Sequence, residues 1–299
     1  MRLLTRSRTL PACWPDWVCA RSVPRSTAVQ HSMEVQSSEP AAHVRPCSDW
    51  RQPPASLVLN WDDVHVWRIP LAVSPRVVAD LASFLSPEEN TRAGRILHEE
   101  AGRRFVVSHG ATRRILGRYL DERPEEIRFV TGRRGKPHLV TSAGAPAVRF
   151  SLSHSGEVAL CAVTEGRDIG VDIERIRPVL AWRQIAARYF STCENQILCS
   201  LPDDQAREAF FQGWTRKEAC AKASGEGITQ RWTQFTVSLE RRAGPEVRNA
   251  ALGAWADAPF TLCPLAPGSG HVAAVAAQGS GWRLSCWQWS WADFPLRGS

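Results

Sequence analysis

The sequence of 299 residues predicts an α+β fold, a pseudodimer of two similar α/β halves related by a pseudo-twofold axis. Two observations predict it. Helical periodicity is followed by short strand-like segments twice along the chain. The order of these elements also repeats at an offset of 105 residues, from Ser86 to Ser191. We therefore expect residues 56–165 and 166–299 to form the two halves, with the functional site in the cleft between them.

The repeat depends on two matched helix starts. Ser86 and Ser191 each begin a Ser-x-x-Glu capping box, in which serine and glutamate side chains satisfy free N–H groups at a helix N-terminus. Leu85 and Phe190 precede these serines as apolar staple residues. The elements that follow at the same offset are helical Phe105–Tyr119 and Phe210–Ala223, then strand-like Ile127–Val130 and Trp232–Phe235. Three matched elements in one order favour duplication over chance.

Strands are predicted where apolar residues alternate with polar ones or form short apolar runs. These segments are Ser56–Leu59, His65–Ile69, Val148–Leu152, Val158–Val163, Ile169–Glu174, Phe235–Leu239, His271–Ala277 and Trp282–Trp289. Helices followed by runs of short strands favour a mainly antiparallel sheet. Residues 1–55 lack periodicity and contain clusters of Pro, Ser and Arg, so we expect a disordered extension. A translation start at Met33 would remove most of it.

The positive charge is carried almost entirely by one residue type. Of the 37 basic residues 34 are arginine, and the lysines are Lys136, Lys217 and Lys222. A GC-rich genome explains the arginines, but a lysine kept in such a sequence marks a position where arginine does not serve. Residues 1–55 carry +3 of the net charge of +7 and the remaining residues carry +4. A balance of +4 over that length argues against nucleic-acid binding, because nucleic-acid binders concentrate basic charge in a patch or stripe.

Composition also bears on the compartment. No apolar run approaches the roughly 20 residues of a membrane-spanning helix. The nine cysteines are scattered and form no C-x-x-C pair, so neither a zinc site nor a disulfide framework is indicated. Cys161 and Cys263 lie in apolar runs and are expected to be small buried side chains. We therefore expect a cytoplasmic protein that does not bind a membrane.

An acidic pair lies in the strand-like segment Ile169–Glu174. Residues two apart on a strand point to the same face, so Asp172 and Glu174 lie side by side while Val171 and Ile173 face the core. Adjacent carboxylates repel each other unless one is protonated or a cation lies between them, and such oxygen ligands suit Mg²⁺ or Mn²⁺. The alternative is a solvated acidic face paired with a neighbouring arginine.

A second candidate group lies on the later long helix. Glu218 and Lys222 stand at i and i+4 on one helix face. The alternative is an ordinary surface pair, but Phe211 and Trp214 make the flanking sequence apolar, and Lys217 is a second lysine in the same helix. A lysine can bind a phosphate as a point charge or donate a proton, which arginine does not readily do.

Two further segments have the composition of anion-binding turns. Gly132–His138 is a basic, glycine-bearing turn without the G-x-x-x-x-G-K-[ST] spacing of a nucleotide-binding loop. In Phe150–Gly156 a strand leads Ser153 and His154 into a small-residue turn, where hydroxyl, imidazole and backbone N–H groups can hold a phosphate. No G-x-S-x-G elbow is present, so a nucleophilic serine is not expected. Both segments are also compatible with ordinary surface turns.

Together these groups indicate a cleft that binds a phosphorylated molecule and a divalent metal. The segments GKP, FSLSHSG, IGVDIE and WTRKEACAK, in this order and spacing, closely resemble the motifs of the 4'-phosphopantetheinyl transferases, specifically their longer, surfactin-synthetase-activating branch. The resemblance covers about residues 56–290. It implies a monomeric pseudodimer of two α+β halves, with the active site in the cleft between them.

The resemblance also implies the role of each site residue. Asp172, Glu174 and Glu218 are implied to bind Mg²⁺, or alternatively Mn²⁺, and Glu218, Lys222 and Asp172 form the implied catalytic set. Contacts with coenzyme A are implied for Arg92, Arg95, Arg113, Gly135, Lys136, Pro137, Ser153, His154, Lys217 and Lys222. His109 stands near a position where many members have arginine.

The implied reaction transfers the 4'-phosphopantetheine group of coenzyme A to a serine of an apo acyl or peptidyl carrier protein and releases 3',5'-ADP. Glu218, directly or through a metal-held water, removes the proton of that serine, and Lys222 stabilises the charge that develops. The alternative is a non-catalytic coenzyme A or nucleotide-binding protein that has kept the same cleft. A third reading, nucleic-acid binding through the arginines of residues 1–55, has less support.

Overall fold

A computed structural model describes residues 48–132, 135–140, 147–179, 181–240, 246–248 and 260–292. The predicted N-terminal extension lies outside the described residues up to residue 47. In its last part, Arg51 forms a parallel β-bridge with Trp287, so regular pairing begins before residue 56. The division into residues 56–165 and 166–299 stays a prediction.

The described residues contain helices and strands in mixed order. The helices are α1 (Pro75–Ala82), α2 (Pro87–Gly94), α3 (Glu99–Leu120), α4 (Trp182–Tyr189), α5 (Thr192–Ser200) and α6 (Asp203–Ser224). The strands are β1 (Asp63–Pro70), β2 (Phe129–Thr131), β3 (Pro137–Leu139), β4 (Val148–Ser155), β5 (Val158–Glu165), β6 (Ile169–Arg175), β7 (Glu246–Arg248), β8 (Phe260–Leu265), β9 (His271–Gln278) and β10 (Arg283–Gln288). The predicted mixture of helices and strands is confirmed.

Two four-stranded sheets organise this part of the chain. Their strand orders are β10-β1-β5-β4 and β6-β9-β8-β7, and β2 pairs with β3 separately. The pairs are antiparallel except β1 with β10, which run parallel. The predicted, mainly antiparallel pairing is therefore confirmed. The last strand, β10, is therefore an edge strand of the first sheet, next to β1.

Both predicted capping boxes are confirmed. At the start of α2, Glu89 N donates to Ser86 Oγ at 3.2 Å, while Ser86 N donates to a carboxylate oxygen of Glu89 at 2.8 Å. At the start of α5, the bonds of Ser191 with Glu194 are 3.2 and 2.6 Å long. The long helices begin earlier than their predicted apolar patterns, at Glu99 and Asp203.

The core lies on both faces of the first sheet. Alternate residues of β1 divide between the faces, so that Trp67 packs with the α1 and α3 layer and Val66 packs toward the second sheet. Val171 and Ile173 of β6 belong to this layer between the sheets, as predicted. Asp172, between them in sequence, therefore lies on the opposite face of β6, against α6.

Three strand predictions are wrong. Residues 57–60 have no regular secondary structure, Trp232 and its neighbours lie in a 3-10 helix (Gln230–Gln234), and residues 236–240 pair with no strand in the described part of the chain. The physical reason is visible in the last two cases. Lys217 Nζ donates to the carbonyl oxygens of Trp232 and Phe235, and Val237 N donates to Glu194, so side chains satisfy the backbone groups that a sheet would use.

Cys161 and Cys263 are free and buried, as their apolar surroundings predict. Cys286, in contrast, is disulfide-bonded, which the scattered cysteine spacing did not indicate. Among the described residues, no helix combines the length and the apolar character that a membrane crossing requires.

Candidate active site

Helix α6 lies directly on strand β6 at Gly170. A Cβ atom at this position would lie 2.0 Å from the carbonyl oxygen of Ala219 and 2.4 Å from the backbone nitrogen of Ala223. No side chain fits in that space, so glycine alone lets the helix backbone come this close to the strand. This approach places the acidic face of β6 against the helix face that carries Glu218 and Lys222.

Asp172 and Lys222, which come from two different predicted pairs, form a largely buried ion pair. Lys222 Nζ donates to Asp172 Oδ1 at 2.7 Å and to the carbonyl oxygen of Val171 at 3.3 Å. Ser153 Oγ donates to the same carboxylate oxygen at 2.8 Å. Burial alone would lower the pKa of Lys222, but the charges of Asp172 and Glu218 outweigh it and raise the pKa. The ammonium group is therefore charged at neutral pH.

Glu218 is a buried carboxylate without a partner. Its side chain is 2% exposed, and neither of its carboxylate oxygens has a hydrogen-bond partner in the described part of the protein. The same holds for Asp172 Oδ2. Burial, and then the charge of Asp172, raise the pKa of Glu218 well above its ordinary value. Unpaired buried carboxylates cost folding free energy, so this arrangement indicates a site that a ligand completes.

Glu174 is the third carboxylate of the group, and it shares a face of β6 with Asp172. Ser155 Oγ donates to Glu174 Oε2 at 3.0 Å. Burial and the neighbouring charge of Asp172 raise the pKa of Glu174 to about 8. Burial also raises the pKa of Asp172, although the charge of Lys222 opposes the change. The three carboxylates thus interact electrostatically, as their predicted placement requires.

The chemistry of these donors fits a hard divalent cation. Carboxylate oxygens are the ligands that Mg²⁺ and Mn²⁺ prefer, and a cation among them would remove the repulsion that raises their pKa values. Within the residues that the structure describes, no three His, Cys, Asp or Glu side chains have their ligand atoms arranged to hold a metal ion. Lys222 instead supplies the positive charge beside Asp172.

Lys136 joins the ends of the same strand and helix. Its Nζ donates to the carbonyl oxygen of Ile169 at 2.9 Å and to that of Lys222 at 2.7 Å. Burial lowers the pKa of Lys136 to about 8. Gly135 forms the preceding turn with a φ of 87°, and Pro137 begins β3. The ammonium group of Lys136 therefore links β6 to the last turn of α6, and its implied contact with coenzyme A stays a prediction.

Ser153 and His154 lie on opposite faces of β4. Ser153 faces β6 and contacts Asp172, whereas the side chain of His154 is exposed on the other face, near His109 of α3. His109 stacks on Phe105 with 3.8 Å between ring centroids, and its ring nitrogen Nδ1 lies 3.0 Å from the carbonyl oxygen of Phe105. Only the serine of the predicted pair belongs to the carboxylate cluster.

The structure places Lys217 away from the carboxylate cluster. Its Nζ forms an ion pair with Glu194 at 2.9 Å, and both side chains are fully buried. The same Nζ donates to two backbone carbonyl oxygens at 2.7 Å and lies 4.2 Å from the ring centre of Phe235. Lys217 thus connects α6 to the N-terminus of α5 and to the segment after α6. The implied contact of Lys217 with coenzyme A stays a prediction.

Arg113 is likewise bonded within the fold. It is 2% exposed, pairs with Glu89 at 2.7 Å, donates to the carbonyl oxygens of Pro124 and Ile127, and stacks over Phe129. The other two predicted arginines differ from it. Arg92 and Arg95 are exposed and line an open cavity of about 430 Å³ on α2.

Sequence reasoning missed two residues that shape the cluster. Gly170 interrupts an apolar strand, and an isolated glycine in a strand often marks a close backbone approach. Ser155 follows Ser151 and Ser153 at the two-residue spacing that places side chains on one strand face. Both patterns are present in the sequence. Their meaning becomes clear only when it is known that α6 packs against Gly170 and that β6 lies next to Ser155.

Two protein-family models match the part of the chain that contains these residues. The family model described as 4'-phosphopantetheinyl transferase, N-terminal, matches residues 73–166, and the model of the 4'-phosphopantetheinyl transferase superfamily matches residues 168–276. The chain is 39% identical over 240 residues to 4'-phosphopantetheinyl transferase HetI of a Nostoc species, which is 80% of this chain and 98% of HetI. It belongs to the 4'-phosphopantetheinyl transferase superfamily.

Two further relatives agree with this assignment. 4'-phosphopantetheinyl transferase Sfp of Bacillus subtilis is 31% identical over 159 residues, 53% of this chain and 68% of Sfp. 4'-phosphopantetheinyl transferase AcpT of Salmonella typhimurium is 35% identical over 159 residues, 52% of this chain and 78% of AcpT. The protein is therefore a 4'-phosphopantetheinyl transferase. The superfamily match contains the acidic pair and the helix α6, and the N-terminal match contains β4 with its serines.

Proposed function

We propose that this transferase moves 4'-phosphopantetheine from coenzyme A to a serine of an apo acyl or peptidyl carrier protein, with Mg²⁺ or Mn²⁺ bound, and releases 3',5'-ADP. One observation carries the proposal. Three buried carboxylate oxygens, two on Glu218 and one on Asp172, lack partners in the described residues, next to the charged ammonium group of Lys222. Such a set can hold one cation and one phosphate side by side.

Glu218 is the proposed general base. Its carboxylate is buried beside Asp172 and Lys222, and in its ionised form it can accept the proton of the carrier serine. Its oxygens have no competing donor in the described residues. The deprotonated serine oxygen of the carrier then forms a bond to the β-phosphorus of coenzyme A, while the bond from that phosphorus to 3',5'-ADP breaks.

Lys222 is the proposed partner of the phosphate charge. Its ammonium group is a compact point charge on a flexible stem, and it is held beside Asp172 at 2.7 Å. It can exchange that carboxylate oxygen for a phosphate oxygen of the leaving group without moving far. When bound, the divalent cation supplies further neutralisation of the pyrophosphate charge. Asp172, Glu174 and Glu218 are the residues that would hold it.

The exposed arginines of α2 are the proposed contacts of the 3'-phosphate. Arg92 and Arg95 line an open cavity, so their guanidinium groups are accessible to a ligand. Arg113 is bonded to Glu89 and to two carbonyl oxygens, so we assign it the support of this region rather than a ligand contact. His154, on the opposite face of β4 from Ser153, is a further proposed phosphate contact.

We also propose the pseudodimer arrangement of the long branch, acting as a monomer in the cytoplasm. Two facts support the arrangement. The carboxylate cluster lies where β4 of the first predicted half meets β6 and α6 of the second half. The two family matches also divide the chain between residues 166 and 168, next to the predicted boundary.

Intact-mass measurement of a carrier protein tests the proposal. The transferase is incubated with coenzyme A, Mg²⁺ and a purified apo carrier, and a parallel sample contains EDTA. We expect the carrier to gain the mass of one phosphopantetheine group with Mg²⁺ and to gain nothing with EDTA. An unchanged carrier mass, together with calorimetric binding of coenzyme A, would support the non-catalytic alternative. A gain that EDTA leaves unchanged would refute the metal requirement.

A further inference from the structure

A row of serines joins the two large sheets at the carboxylate cluster. β4 is the edge strand of one sheet and β6 is the edge strand of the other. Ser151, Ser153 and Ser155 alternate along β4, all three are buried, and each bonds to β6 through its hydroxyl group. These side chains therefore bridge two strands that belong to different sheets. We call the three residues the serine seam.

The three hydroxyl groups of the serine seam have different partners. Ser151 Oγ accepts from Val171 N at 3.1 Å and bonds to no carboxylate among the residues that the structure describes. Ser153 Oγ donates to Asp172 at 2.8 Å. Ser155 Oγ accepts from Arg175 N at 3.0 Å and donates to Glu174 Oε2 at 3.0 Å. Ser155 thus combines a backbone contact with a carboxylate contact.

The geometry of Ser155 leaves its hydroxyl group little freedom. A serine hydroxyl has one proton, and here the N–H of Arg175 occupies one of its lone pairs. The proton is therefore directed to Glu174 Oε2. The backbone of Ser155 has a further contact, because its carbonyl oxygen lies 3.3 Å from a ring nitrogen of His271. Gly156, the next residue, lies close to the side chain of Arg175. The hydrogen bond from Ser155 therefore restrains the longer side chain of Glu174.

Within the described part of the chain, Ser155 supplies the one side-chain hydrogen bond of Glu174. That bond engages Oε2, and Oε1 has no hydrogen bond in the described residues. We propose that Ser155 is a positioning residue for transfer, which holds Glu174 so that Oε1 enters the site. This inference rests on the proposed function, because it assigns Glu174 to that site. The serine seam supplies the matched control, since Ser151 makes the backbone contact alone.

The test compares Ser155→Ala with Ser151→Ala in the full-length transferase. Transfer rates are measured at several coenzyme A concentrations with saturating Mg²⁺ and apo carrier, and unfolding midpoints are measured by circular dichroism. We expect Ser155→Ala to lower kcat about 10- to 100-fold with little change in the KM for coenzyme A, as for other residues that orient a ligand group. Ser151→Ala should lower the unfolding midpoint by a similar amount but keep most of the kcat.

Ser155→Thr keeps the hydroxyl group and should restore most of the kcat that Ser155→Ala loses. Equal kcat losses in Ser155→Ala and Ser151→Ala would overturn the inference, because both effects would then come from the seam itself. A loss confined to KM would also overturn it. Glu218→Gln is measured in parallel, and its full activity would refute only the general-base role of Glu218. A carrier that the wild-type protein leaves unmodified would refute the proposed function, whereas a Ser155→Ala result bears only on the positioning role.

Discussion

The contact between α6 and β6 at Gly170 gives the sharpest structural prediction. The substitution Gly170→Ala adds one Cβ atom, which would lie 2.0 Å from the carbonyl oxygen of Ala219 and 2.9 Å from Lys222 Cβ. The nearest atoms belong to the helix backbone, so no change of rotamer relieves the contact. The helix must move away from the strand, because Cβ atoms essentially never come closer than 3.0 Å to such atoms.

The size of that movement sets the expected loss of activity. The helix must retreat by about 1 Å, which would lengthen the 2.7 Å bond from Lys222 to Asp172 to about 3.7 Å and break it. A displacement of about 1 Å in a catalytic group can lower a rate about 100-fold. Overpacking of this kind also lowers the free energy of unfolding by about 1–3 kcal/mol. We therefore expect a folded protein with about 100-fold slower transfer.

Carrier modification followed by intact-mass measurement over time gives the rate, and circular dichroism confirms the fold. Gly94→Ala is the matched control, because a Cβ atom there meets nothing within 4 Å. It should leave the transfer rate unchanged and can raise the unfolding midpoint, because alanine favours a helix over glycine. A Gly170→Ala variant that transfers as fast as the wild type would refute the claim that this close approach aligns the site.

Three further predictions concern charged residues. Lys222→Arg should slow transfer about 100-fold, because a planar guanidinium does not replace a compact ammonium group at Asp172. The control Arg118→Lys should leave the transfer rate unchanged. Equal transfer rates of the two variants would contradict the role of Lys222. Lys217→Met should lower the free energy of unfolding in urea by about 3–5 kcal/mol, because Glu194 loses its buried partner; a negligible loss would contradict this. In EDTA, the free energy of unfolding should fall as the pH rises from about 5 to about 8. Glu174 has a pKa of about 8 in the folded protein, so over this pH range it keeps a proton that the unfolded chain has already released. Glu174→Gln should reduce that slope, and an unchanged slope would show that Glu174 is not its source.

The acidic pair and the helix pair could be predicted because regular elements fix local directions. The two-residue period of a strand places Asp172 beside Glu174, and the helical period places Glu218 and Lys222 on one face. The structure confirms that these residues meet. Their contact with one another depends on Gly170, whose importance appears only when the helix is seen against the strand.

The three lysines show what the sequence could not decide. Their rarity predicts that arginine does not serve at these positions, and the structure gives each ammonium group different partners. Lys222 bonds to a carboxylate of the site, Lys136 to two backbone carbonyl oxygens, and Lys217 to a buried glutamate on another helix. These partners lie far away along the chain. The composition therefore marked the three lysines, but it could not predict which groups each lysine contacts.

The same limit explains the wrong strand at residues 232–239. Its apolar pattern resembles a strand, but Lys217 and Glu194 bond to its backbone and hold it in another conformation. Tertiary hydrogen bonds from buried side chains outweigh a short local pattern.

We propose that the carboxylate of Glu218, which has no partner in the described residues, performs the proton transfer in carrier modification. The most direct measurement compares the single-turnover transfer rates of Glu218→Gln and Glu208→Gln, which make the same substitution on one helix, inside and outside the cluster. We expect Glu218→Gln to keep its fold and its binding of coenzyme A, measured by calorimetry, but to modify no carrier, while Glu208→Gln reacts like the wild type. Transfer at the wild-type rate by Glu218→Gln would contradict it.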